Sequence, residues 1–174
     1  MKACFATALG AWESEAYWAN FWYQSDKTRR ELLIEALMGR TNDEIRAIKD
    51  AFSDKKYDNS LARCMRTELR EDRFKKAIML ALEERRMDDH VNGLVDAVLV
   101  AQDVDDLYRA LGADRGGEST MLAIVVLRSD SHLRQVLKEY DRVHGAIFAR
   151  ECLRKSSNLV VRYFLRLSVY TAML

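Results

Sequence analysis

The apolar positions of this 174-residue chain recur three and four apart almost throughout, the spacing of one face of an α-helix. Leu33, Leu37 and Met38 share such a face, as do Ile45, Ile48 and Phe52, then Phe74, Ala77, Ile78 and Ala81. Val95, Val98 and Leu99 continue the pattern, followed by Leu122, Val125 and Val126, by Leu133, Val136, Leu137 and Tyr140, and by Val160, Val161, Phe164 and Leu165. Strict alternation of the kind a half-buried strand needs is rare. Proline is absent and glycine occurs only seven times, so little interrupts the helices. The expected fold class is all-α.

Cap chemistry marks two helix starts. Thr41-Asn42-Asp43-Glu44 reads as a capping box, in which the threonine hydroxyl accepts from the third helical amide and the glutamate reaches back. Ser129-Asp130-Ser131 offers a second cap before His132 and Leu133. Each follows an arginine, Arg40 or Arg128, that closes an apolar helix. Sliding the chain by 88 positions lays residues 37–52 on 125–140, matching Arg40 with Arg128, Ile45 with Leu133, Ile48 with Val136, and Phe52 with Tyr140. Cys64 meets Cys152 at the same offset. An internal repeat of one helical plan follows. Residues 83–90, rich in charge but without Gly/Ser/Pro character, form a surface connector between the copies.

The residues that carry this plan resemble the annexins. ELLIEALMGRTNDEIRAIKDAF is similar to the core of an annexin repeat, an apolar helix running into Arg-Ser/Thr and then a helix ending in an aromatic; STMLAIVVLRSDSHLRQVLKEY is a looser second copy. GAWESEAYWANFWYQSDKT resembles the last helix of a preceding repeat, without the proline usual at its start. The resemblance implies repeats of about five short helices in a right-handed superhelical arrangement. It divides the chain into 1–24, the end of a preceding repeat; 25–86, one repeat; 87–112, a connector and helix; and 113–174, a second repeat.

The same resemblance implies calcium-dependent docking on anionic phospholipid. Calcium takes about six to eight oxygens, which the family draws from the carbonyls of a Lys-Gly-x-Gly-Thr loop and a distant acid. In the first copy the matching loop is residues 23–28, where Tyr23, Ser25 and Lys27 stand at loop positions, Asp26 could add an oxygen and Glu68 stands at the acid position. Both glycine places are lost, and the ammonium of Lys27 opposes a divalent ion. The second copy keeps Gly116 and Gly117, but Arg154 or Lys155 stands where the acid belongs and Glu151 lies about a helical turn early. Calcium is therefore expected to be weakly held or lost. Lys27, Arg29, Arg30 and Arg115 are the candidate lipid-binding cations, each worth about 1 kcal/mol near an anionic bilayer.

Composition narrows the alternatives. With 28 Lys+Arg against 27 Asp+Glu, the net charge of +1 argues against a nucleic-acid partner. No run reaches the roughly 18 to 20 apolar residues of a spanning helix, and the first residues make a poor signal peptide. Three scattered cysteines, Cys4, Cys64 and Cys152, suit reduced thiols in a cytoplasmic protein with peripheral membrane association. His90, His132 and His144 lie in no metal or nucleophile motif, and nothing assembles a reaction, so no enzyme is expected. The competing expectation is a calcium-independent protein-interaction domain. It would dock on a partner or a second copy through the aromatic segment of Trp12, Tyr17, Trp18, Phe21, Trp22 and Tyr23.

Overall fold

The computed structural model describes residues 30–89, 95–113 and 117–155. They are helical, with no strand among the described residues, as the spacing of apolar positions predicts. By its internal contacts the chain divides into two compact units, Met1–Arg85 and Arg86–Leu174.

In the first unit α1 (Arg30–Leu37) stops at Gly39, whose φ of 75° lies in the left-handed region that glycine enters without strain. Thr41 then caps α2 (Asn42–Ala51). Its Oγ1 accepts from the Glu44 amide at 3.2 Å, and Glu44 Oε2 accepts from the Thr41 amide at 2.7 Å, so the box forms as its residues predict. A 3-10 turn (Lys55–Tyr57) leads to α3 (Leu61–Glu68), capped by Ser60, and α4 (Arg73–Ala81), capped by Asp72. Leu33, Leu37, Ile45, Ile48, Phe52, Met65, Phe74 and Ile78 form the core, and α4 packs on both α3 and α1.

The second unit contains α5 (Ala97–Gly112), α6 (Gly117–Leu127), α7 (Asp130–His144) and α8 (Phe148–Lys155). In the stretch 87–112, expected to hold a connector and a helix, residues 97–112 form α5, which packs along α6 and α7 inside this unit. Its inward face is Val100, Val104, Leu107 and Leu111. Val98, expected on a core face with Val95 and Leu99, is instead 68% exposed. The Asp96 carboxylate accepts from the amides of Val98 (2.9 Å) and Leu99 (3.2 Å), so the helix begins here and turns Val98 to solvent. Of the other predicted faces, Ala81, Val125 and Leu137 are half-buried, and Val160 to Leu165 fall outside the described residues.

The charged connector is stitched down. Glu84, at φ 56°, accepts from Arg46 at 3.2 Å and pairs with Lys49 within the first unit. Beyond the division the Met87 amide donates to the Leu127 carbonyl at 2.6 Å, Arg86 donates to the Arg128 carbonyl at 3.2 Å and pairs with Asp130 at 2.6 Å, and Asp89 accepts from the Ser131 amide at 3.1 Å.

Candidate functional site

Glu68 is the candidate acid that the described residues include, and its surroundings are built by the turn before its helix. The Asp54 carboxylate accepts from the Lys56 amide at 2.9 Å, and the Asp54 carbonyl accepts from the amides of Tyr57 (3.1 Å) and Asn59 (2.9 Å). Asp58 and Asn59, at φ 53° and 54°, close the turn in the left-handed region that short polar side chains tolerate best after glycine. The chain thereby drops Tyr57 into the core, at 2% exposure, beside the far end of α3.

One helical turn beyond the fully buried Cys64, Glu68 meets that tyrosine. The Tyr57 hydroxyl donates to Glu68 Oε1, and Lys56 Nζ donates to the same oxygen at 2.8 Å. The ammonium also lies over the Tyr57 ring, 4.7 Å from its centroid. These donors, Lys56 first and Tyr57 second, hold the Glu68 carboxyl below the ordinary carboxylate range. Lys56 is pushed up in turn by Glu68, and Tyr57 is pushed up by burial and by the acceptor it faces.

The second unit arranges its acid differently. Glu151 sits in the first turn of α8, not at its end, and its Oε2 accepts from the Tyr140 hydroxyl at 2.8 Å. Arg154, 73% exposed at its side chain, approaches Glu151 Oε1 at 3.8 Å. Tyr140 is fully buried, edge-on to Phe148, and burial raises its hydroxyl pKa ahead of the Glu151 contact.

Gly117, expected in an ion-cradling loop, is the first residue of α6. A Cβ there would lie 2.0 Å from the Ala110 carbonyl oxygen of α5, so close helix approach already demands glycine at this point. Tyr23, Ser25, Lys27, Arg29, Arg115 and Gly116 lie outside the described residues, as does the aromatic stretch from Trp12 to Tyr23; Arg30 opens α1. Among the described residues no cluster of three His, Cys, Asp or Glu side chains could hold a metal ion, and no helix is long and apolar enough to cross a membrane. Glu68 as placed, with Oε1 already accepting from a hydroxyl and an ammonium, does not fit a calcium cage unless Lys56 withdraws.

Sequence reasoning passed over a buried charge cluster. Asp103 of α5, 2% exposed, accepts from Arg128 Nε (2.7 Å) and Nη2 (2.9 Å), and pairs with His132 Nε2 at 2.8 Å. The signal available was the register of the repeat. His132 stands where the first copy has the capping glutamate Glu44, so the second box had to differ.

Succession of caps, helix lengths and packing define an all-α repeat protein of the annexin fold. A solved structure of an annexin A8 mutant with an intact N-terminus matches with TM-score 0.77 and 24% identity over 97% of this chain and 50% of that one. The calcium-bound structure of annexin (Sm)1 matches with TM-score 0.69 and 18% identity over 99% of this chain and 54% of that one. In sequence, Annexin A8-like protein 1 of Homo sapiens is 32% identical over 117 residues, 67% of this chain and 35% of that protein. Annexin A11 of Oryctolagus cuniculus is 32% identical over 132 residues, 75% of this chain and 25% of that protein. No protein-family model matches the chain. The chain belongs to the annexin family. The matched stretch spans about a third or less of these relatives' length.

Proposed function

We propose that this chain is a peripheral membrane-docking or scaffold module of the annexin type, non-catalytic, with calcium sites weakened in both copies. Each compact unit would carry one copy of the repeat plan. Lys27, Arg29, Arg30 and Arg115 would face anionic phospholipid, and calcium would add to the attraction only at high concentration. One observation carries the reading. The acid that should complete the first calcium cage, Glu68, is already bonded to Lys56 and Tyr57. The second unit supports it, because its nearest carboxylate, Glu151, is turned to Tyr140 and the end of α8 bears Arg154. Basic side chains near an anionic surface act without calcium but are screened by salt. Several such modules together would bind more firmly than one.

Sedimentation with phosphatidylserine vesicles tests this, run with calcium, with chelator, and at two salt concentrations. Salt-sensitive pelleting that calcium strengthens only at millimolar levels is expected. Absence of pelleting under every condition refutes the membrane reading. Saturation at micromolar calcium refutes the weakened sites.

A further inference from the structure

We infer that Lys56 is a tethered counter-ion for Glu68, supplying the positive charge a divalent ion would bring and thereby setting the calcium threshold of the first unit. The inference rests on the reading of Glu68 as a calcium ligand and adds the group that regulates it.

The backbone of the turn brings Lys56 within reach of the acid. Asp54 fixes its amide, the left-handed pair Asp58–Asn59 closes the turn after it, and Tyr57 anchors the turn in the core. From there the ammonium lies over the phenol ring and donates to Glu68 Oε1. Both donors converge on that one oxygen, so a divalent ion seeking both carboxylate oxygens must displace the ammonium. Displacement is inexpensive, since the Lys56 side chain is 62% exposed and its head can return to water. The lysine therefore raises the threshold without sealing the site.

The register of the repeat sets this lysine apart: 88 positions on from Lys56 stands His144, at the end of α7, while the second unit's own tyrosine–glutamate pair, Tyr140 and Glu151, lies at other register positions and has Arg154 at 3.8 Å.

The test is calcium binding to the full chain in solution by isothermal titration calorimetry, without lipid, for wild type, Lys56→Gln, Glu68→Gln, the double variant, and Lys55→Gln as a control for bulk charge. Lys56→Gln should tighten calcium by roughly three- to tenfold, the order expected from removing a solvent-exposed cation beside a divalent ion. The gain should vanish in the double variant, and Lys55→Gln should change little. A wild type too weak to measure beside a measurable Lys56→Gln variant supports the inference equally. If Glu68→Gln weakens binding while Lys56→Gln leaves it unchanged, Glu68 stands as a ligand and the tethered counter-ion is overturned. Equal tightening by Lys55→Gln also overturns it. If Glu68→Gln changes nothing, or no variant binds calcium, the ligand assignment falls and the inference with it. Thermal unfolding of each variant checks the fold; both side chains lie at the surface end of α3 and should alter it little.

Discussion

Replacing Asp103 with alanine removes the acceptor shared by Arg128 and the buried His132. Three charge-assisted bonds disappear, at 2.7, 2.9 and 2.8 Å. The two cationic or basic partners fare differently. The Arg128 side chain is 26% exposed and can recover water, whereas His132 is 2% exposed and keeps a ring nitrogen without an acceptor. Breaking a fully buried ion pair from one side costs about 3 to 5 kcal/mol. Partial rehydration of Arg128 puts Asp103→Ala at the low end, about 3 kcal/mol, which for a chain of this size corresponds to a fall in Tm of roughly 6 to 12 °C. Urea unfolding followed by far-UV circular dichroism measures the loss, and scanning calorimetry measures the shift. Arg109→Ala is the control. It removes the exposed Arg109–Asp106 pair, with side chains 73% and 44% exposed, and should cost no more than about 1 kcal/mol. Asp103→Leu combined with Arg128→Met removes both charges and should recover part of the loss, since an apolar replacement leaves no buried charge unpaired. A cost below about 1 kcal/mol for Asp103→Ala refutes the view that this cluster anchors α5 to α7.

Two further outcomes follow from single residues. Gly117→Ala places a methyl 2.0 Å from a backbone carbonyl, so α6 must move from α5; a loss of more than about 2 kcal/mol in urea unfolding is expected, and a neutral variant refutes the close approach. Burial pushes the Cys64 thiol up to about 12 and the Cys152 thiol up to about 11, from an ordinary value of 9.0. Folding raises both values, so their contribution to stability is complete below pH 9 and is lost as pH rises through 11 to 12. In a Cys4→Ser variant neither thiol should react with Ellman's reagent at pH 8 until guanidinium is added; prompt reaction of the folded protein refutes the burial.

What the chain's order of residues discloses is the part of the fold settled within a helical turn. Thr41 and Glu44 are three apart, and so are Ser129 and His132, so cap chemistry needs no tertiary information. Core faces are legible for the same reason, and the misplacement of Val98 came from missing Asp96 as a cap. The site was legible only as far as residue type. Glu68 could be matched to an acid position, but its partners depend on a turn at Asp58–Asn59 whose local sign is a pair of short polar residues, which marks a turn without saying what it delivers to Glu68. Asp103 lies 25 residues from Arg128 and 29 from His132, and which acid a buried arginine finds depends on how α5 packs.

The two copies keep what satisfies the backbone and reassign what carries charge. Thr41 and Ser129 cap with φ and ψ of −70° and 164° against −69° and 163°, and Cys64 and Cys152 are both fully buried. Yet Arg40 turns to the Ala36 carbonyl at 3.3 Å, while Arg128, its counterpart, grips Asp103. Glu44 closes its own capping box, while His132 leaves its box open and reaches the same Asp103. Cap geometry admits few residue types, because an unpaired amide at a helix start is costly whatever surrounds it. A carboxylate can be neutralised by an arginine, a lysine or a divalent ion, and each choice leaves the backbone unchanged. A shared helical plan therefore does not entail a shared ion chemistry, because the cation that already stands beside each acid differs between the two units.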